Sequence, residues 1–194
     1  TLFPSTGSSD IIVTWIYTTT DDTGAASDEF VNVPGAMTGF SIPVGGMSCT
    51  DWRYDNQVLI SCSREPGAGS LQVWDTLGGP LWGQPGVATD WAMQCRINPN
   101  PMTTNECVMT SMDGNFYVFH MPYYSCDYTV SHVLSPGVGP LWGLSYDPTG
   151  DFAFVGSANG DLVMYWMRPP GSPANPPVEV LRTNIGTGVT IRGL

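Results

Sequence analysis

Short stretches in which apolar residues alternate with polar ones, each bounded by Gly, Asn or Asp, recur along this chain at a nearly constant interval. Four of them align: Asp10-Ile11-Ile12-Val13-Thr14-Trp15, Ser70-Leu71-Gln72-Val73-Trp74-Asp75, Asn115-Phe116-Tyr117-Val118-Phe119-His120 and Asp161-Leu162-Val163-Met164-Tyr165-Trp166. They start at positions 10, 70, 115 and 161, at intervals of 60, 45 and 46 residues. The last three follow a glycine or a turn dipeptide directly: Gly69, Asp113-Gly114 and Asn159-Gly160. Asp-Gly and Asn-Gly suit two-residue type I′ hairpin turns, in which both central residues need positive φ. An apolar run precedes each dipeptide, over 106–111 and 152–157. Run, turn and run, rich in β-branched and aromatic residues, predict a β-hairpin.

A further strand is predicted upstream of each hairpin, over 49–56, 93–99 and 142–150. Outer strands are predicted over 128–134 and 178–182. Each unit of about 45 residues then holds four strands, a period typical of stacked or radial repeats. No stretch keeps a clean helical period, and Gly and Pro together make up 40 residues. The expected fold is all-β, one domain over 1–194, with complete units at 35–88, 89–138 and 139–185. Residues 1–34 and 186–194 form partial units: 11–17 reads as a third strand, 28–34 as an outer strand and 189–194 as the inner strand of a further unit. Thr18-Thr19-Thr20-Asp21-Asp22-Thr23-Gly24 reads as a polar loop, and the Pro-rich 169–177 stretch as a stiff connector.

The segment from Trp142 to Met167 resembles a WD-repeat blade. Its inner strand closes in Asp147-Pro148-Thr149-Gly150, its second strand ends in Gly156-Ser157, an Asn-Gly turn follows, and its third strand ends in aromatics. Trp74-Asp75 supplies the Trp-Asp pair itself; Phe119-His120 and Tyr165-Trp166 take its place in the other units, and no Gly-His dipeptide occurs. The resemblance spans roughly 35–185 and implies a degenerate, partial WD40-like β-propeller of four-stranded antiparallel blades, three complete and two partial at the edges. Closed propellers have about four to eight blades. The expectation is therefore a piece of a longer propeller, or a ring completed by another chain. A start without Met, basic n-region or apolar h-region also reads as a processed chain or a piece of something longer.

Composition narrows the functional classes. Charged residues are 12% of the chain, against a norm of about 25%. Lys is absent, so Schiff-base and amine catalysis are excluded. A net charge of −11 argues against nucleic acid and against an anionic membrane surface, and no apolar run reaches the roughly 18 residues a membrane helix needs. Few charges, seven Trp and nine Met instead suit surface that is buried against protein. The expected function is a non-enzymatic scaffold that binds protein partners, further copies of itself or the rest of its own propeller, with no catalytic residue, cofactor or metal. Candidate partner-binding residues are Asp51, Trp52, Asp90, Trp91 and Trp142, in segments read as lying between blades, Trp82 in a Pro-Leu-Trp-Gly that echoes Pro140 to Gly143, and Arg64 and Glu65 in the 64–68 loop. Packing between blades is the alternative role for these Trp.

The alternative function is an extracellular glycan-binding or sialidase-like propeller. Ser8-Ser9-Asp10-Ile11-Ile12-Val13-Thr14-Trp15 resembles the Asp box of that family, with Ile12 where the box has Gly. A cluster of three Arg around a carboxylate would be needed, and the six Arg here are scattered. His120 and His132 read as structural. The cysteines pair at similar spacings, 13 residues for Cys49–Cys62 and 12 for Cys95–Cys107, leaving Cys126 odd. These pairs suit either cross-strand disulfides or buried free thiols, and the thiols are favoured. No N-glycosylation sequon occurs, which leaves the compartment open and favours an intracellular setting over an extracellular one.

Overall fold

The computed structural model describes residues 2–4, 11–13, 17–20, 26–29, 47–53, 58–63, 69–75, 80–100, 106–120 and 129–192. The chain divides into two compact units, 1–44 and 45–194, where the sequence reads as one domain. The division falls between Val44 and Gly45, outside the described residues. All elements among the described residues are strands.

The first unit holds two antiparallel pairs. Strand β1 (Leu2–Pro4) pairs with β2 (Ile11–Val13), and β3 (Tyr17–Thr20) pairs with β4 (Ala26–Glu29). The Thr18–Thr20 stretch expected as loop is thus a strand, as suits β-branched Thr. The outer strand expected at 28–34 is seen only as the end of β4, and 30–34 lie outside the described residues.

The second unit is built of three four-stranded antiparallel meanders. The first contains β5 (Met47–Trp52), β6 (Leu59–Ser63), β7 (Gly69–Trp74) and β8 (Pro80–Ala88). The second contains β9 (Ala92–Ile97), β10 (Glu106–Ser111), β11 (Phe116–His120) and β12 (Thr129–Leu134). The third contains β13 (Leu141–Tyr146), β14 (Phe152–Ser157), β15 (Asp161–Trp166) and β16 (Val178–Asn184). The order within each of these three sheets follows the sequence, so each is an up-and-down meander of the form a propeller blade takes, and is called a blade below.

Packing follows from the period of two along each strand. In the middle blade, Cys107, Met109, Tyr117 and Phe119 point into one core with Ile60, Cys62, Leu71 and Val73 of the first blade. The residues between them, Val108, Phe116 and Val118, point into a second core with Leu141, Leu144, Val155 and Val163 of the third. The middle blade is therefore buried on both faces, and β10 has no exposed residue. By contrast β16, the outer strand of the third blade, is exposed along its whole length.

The hairpin turns differ from the expected type. Thr110 pairs with Phe116, and the Ser111 N–H bonds the Asn115 carbonyl at 3.2 Å, which leaves Met112, Asp113 and Gly114 as a three-residue loop. Gly114 takes φ 83°, as a turn followed by a left-handed residue requires. The Asp113 side chain accepts the Asn115 N–H at 2.9 Å, a local bond that favours this longer loop.

The last segment is also corrected. Residues 189–192 form no strand; the Ile191 N–H bonds the Ser157 carbonyl at 3.0 Å and its side chain is buried against Gly156. Trp74, the Trp of the Trp-Asp pair, is buried, with its indole N–H 2.9 Å from Ser61 Oγ.

Candidate protein-binding surface

Strands β5, β9 and β13 each form the inner edge of a blade, and an edge strand carries N–H groups that its own sheet leaves unpaired. Side chains from the preceding blade take up two of them. Asp51 Oδ2 accepts the Ile97 N–H at 2.8 Å, and Gln94 Oε1 accepts the Leu144 N–H at 3.0 Å. Asp51 is thereby committed to joining two blades. Burial, above the effect of its hydrogen bonds and of Arg96, raises its carboxyl from the ordinary value. Trp52 follows it at the end of β5, its N–H 3.1 Å from Asp51 Oδ1.

Asp51 and Trp52 lie where an inner strand ends, whereas Asp90, Trp91 and Trp142 lie where the next two begin. The structure thus splits the sequence-derived set between opposite ends of the blades. Trp82 lies on β8, opposite Val73. Arg64 and Glu65 lie outside the described residues, as does most of the Asp-box-like segment, of which only Ile11–Val13 is described.

The end at which β9 and β13 begin carries a built surface. The carbonyl of Trp91 accepts the Met112 N–H at 2.9 Å. Thr89 N–H donates to Asp113 Oδ2 at 3.0 Å, and the Tyr117 hydroxyl donates to the same oxygen at 2.6 Å. Asp90 Oδ1 accepts the Trp91 N–H at 2.7 Å. The backbone that carries Trp91 is pinned on both sides to the β10–β11 hairpin, yet its side chain is 37% exposed. Burial pushes the Asp113 carboxyl up, but hydrogen bonds from Tyr117, Asn115, Thr89 and Ser111 outweigh it, so its pKa lies below the ordinary value. Trp142 is half-buried, with the Arg192 guanidinium over its ring at 4.6 Å. Gln94 Nε2 holds the Arg192 carbonyl at 2.7 Å. This end therefore presents an exposed indole on a pinned backbone, a cation on a second indole, and the Asp113 carboxyl held below its ordinary value.

The far end carries a buried charge network. Glu106, 2% exposed, accepts bonds from both terminal nitrogens of Arg168 (2.8 and 3.1 Å), from Asn98 Nδ2 and from the Tyr146 hydroxyl (both 2.9 Å). Asn98 also donates to the Gly150 carbonyl at 2.9 Å. The network spans the second and third blades with its carboxylate buried, which fits a structural lock. His120 stands opposite Glu106 in the sheet, and His132 Nε2 lies 2.8 Å from the Pro173 carbonyl.

Cys49, Cys62, Cys95 and Cys107 are free thiols, so neither candidate disulfide is formed. Cys107 stands opposite Ile97, and Cys95 opposite Met109. Cys49 does stand opposite Cys62, but its thiol is turned to β9 of the next blade, toward the Cys95 carbonyl. Cys126 lies outside the described residues. Among the described residues no group of His, Cys, Asp or Glu is arranged to hold a metal, and no helix is long and apolar enough to cross a membrane.

No family model matches the sequence, and no curated protein matches it. Among solved structures the chain is similar to Sqt1 of Saccharomyces cerevisiae, known from a crystal structure, with a TM-score of 0.62 at 10% identity. The match covers 74% of this chain and 36% of Sqt1, so the chain spans about a third of the length of that protein. The likeness is one of fold. The chain is all-β with antiparallel sheets, consistent with part of a β-propeller, and among the described residues the sheets do not close a ring.

Sequence reasoning named Trp91 and Trp142 but missed what holds them. Thr89, Asp113 and Tyr117 fix the backbone around Trp91, and Arg192 covers Trp142. The Asp113-Gly114 dipeptide was a signal for the hairpin, and nothing in it points to the loop of the preceding blade.

Proposed function

We propose that this chain is part of a WD-repeat-like propeller that acts as a non-enzymatic, protein-binding scaffold. The observation that carries the reading is Trp91, a large exposed side chain on a backbone pinned by bonds from Met112 and by the Thr89–Asp113 contact. A rigid exposed indole contributes contact area at little ordering cost, which is why Trp dominates protein interfaces. The fold likeness to Sqt1 adds support for a partial propeller. The partners are proteins that bring basic or aromatic groups to an acidic surface, further copies of the chain, or other blades of its own ring.

The test uses the full chain as bait in extracts of its source, with Trp91→Ala as the control and circular dichroism to confirm folding. The reading expects specific proteins that Trp91→Ala loses by about tenfold or more, the scale of a hot-spot truncation. A chain that stays monomeric and engages no protein contradicts it, as does a Trp91→Ala variant that captures the same proteins equally well.

A further inference from the structure

The inner strands of the first two blades bring two thiols and a guanidinium together, and β6 adds a third thiol. Cys49 Sγ donates to the Cys95 carbonyl, and Cys95 Sγ to the Cys49 carbonyl, both at 3.6 Å. Cys62 and Cys95 share one buried core, and Cys49 packs against it. Arg96 Nη1 lies 2.9 Å from Cys49 Sγ and is anchored 2.8 Å from the Cys95 carbonyl. Cys62 sits 3.2 Å from Ser48 Oγ. Cys62 and Cys95 are buried, whereas Cys49 is only partly buried.

We propose that Cys49 is an oxidation site whose product is a disulfide with Cys95, a reversible covalent staple between the first and second blades. The oxidant is a hydroperoxide. Cys49 thiolate attacks the terminal peroxide oxygen; the S–O bond forms, the O–O bond breaks, and the departing oxide takes a proton to leave as water or an alcohol. Sulfur is oxidised by two electrons to the sulfenic acid, and the peroxide is reduced. Cys95 then loses its proton and attacks the Cys49 sulfur; the S–S bond forms, and the S–O bond breaks. The hydroxide leaves as water with the Cys95 proton.

The roles follow from the surroundings. The titratable and charged groups around the pair are Arg96 on β9, Cys62 on β6 and Asp51 on β5, a carboxylate that also faces Arg96. The hydrogen bond from the Cys95 thiol, and after it the Arg96 charge, bring Cys49 down to about 6 against the upward push of burial. Burial in the first place holds Cys95 well above the ordinary thiol range. One thiol is thus ionised near neutrality, and its neighbour stays protonated until it is needed. Because nucleophilicity falls with pKa, the gain in rate at pH 7 over an ordinary thiol is only about 2- to 5-fold. The pH profile is the sharper signature.

The test treats the full chain with hydrogen peroxide and maps its peptides without reductant. The expected product is a Cys49–Cys95 cross-link, with a loss of two hydrogens from the intact mass that a thiol reductant reverses. Cys95→Ser should stop at Cys49 sulfenic acid, captured by a dimedone-type probe. Should that variant misfold, the wild-type alkylation profile decides: Cys49 should level off above about pH 7, whereas an ordinary thiol keeps rising through roughly pH 8.5. A Cys49 that stays reduced, a Cys49–Cys62 product, or a rate still rising through pH 8.5 would overturn the proposal.

Discussion

Two seams join the three blades, and they are made of different chemistry. The seam between the first and second blades is filled by aliphatic residues, Met109, the aromatics Tyr117 and Phe119 and the thiols Cys62, Cys95 and Cys107, with Arg96 lying over Cys49 at its edge. The seam between the second and third blades has aliphatic and aromatic residues too, with Phe116 stacked on Tyr165 at 5.2 Å, but it ends in the Glu106–Arg168 network rather than in thiols. One blade supplies both seams, because its strands alternate and send successive residues to opposite faces. The architecture asks only that alternate positions be filled. What fills them decides what each seam responds to: oxidant at the first, and loss of a charge partner at the second.

The predictions follow from breaking one seam at a time. Phe116→Ala removes a fully buried ring from the second seam and should cost about 3–5 kcal/mol in urea unfolding. Glu106→Ala leaves Arg168 without its partner and strands the Tyr146 and Asn98 donors. A buried pair broken in this way costs about 3–5 kcal/mol, and the 21% exposure of Arg168 places this case near ~3 kcal/mol. Gly150→Ala should cost about 1–2 kcal/mol, since φ there is +73°. The new methyl would also meet the buried amide of Asn98 and loosen the same network.

The mildest effect is that of pH. Burial, together with the Arg168 and His132 charges and against the opposing pull of Glu106, lowers the pKa of His120 from 6.5. A depressed folded-state pKa means that the stability it contributes is present above 6.5 and lost as pH falls through the lower folded value. Urea midpoints should therefore drop between about pH 7.5 and 5, and His120→Gln should flatten that part of the curve.

Much of the second unit was legible in the sequence, because its hairpins are local. The strands expected at 106–111 and 152–157 coincide with β10 and β14, and the third strands lie within a residue of those observed. Strand β8 was not read as a strand, since Pro80, Gly83, Pro85 and Gly86 look like turn residues. It is an outer strand, where proline is tolerated because one side of the ladder is free. The candidate surface was less legible. Asp51 reads as an exposed acid, but its partner is an N–H that lies 46 residues on, and Arg192 reaches Trp142 across 50 residues. Contacts between blades are set by how sheets stack, and no local pattern encodes the partner. The thiols were recognisable as a spaced pair of pairs, but the contact that matters, Cys49 with Cys95, crosses from one pair to the other.

The central claim is that the middle blade carries two separate seams. It is tested most directly by hydrogen exchange, read by mass spectrometry, on Glu106→Ala against the wild type. The account predicts faster exchange in Leu141–Tyr146 and in the 147–150 turn, with Met47–Trp52 and Leu59–Ser63 unchanged. A uniform rise across all three blades would contradict it, because it would show that the two seams open together as one core.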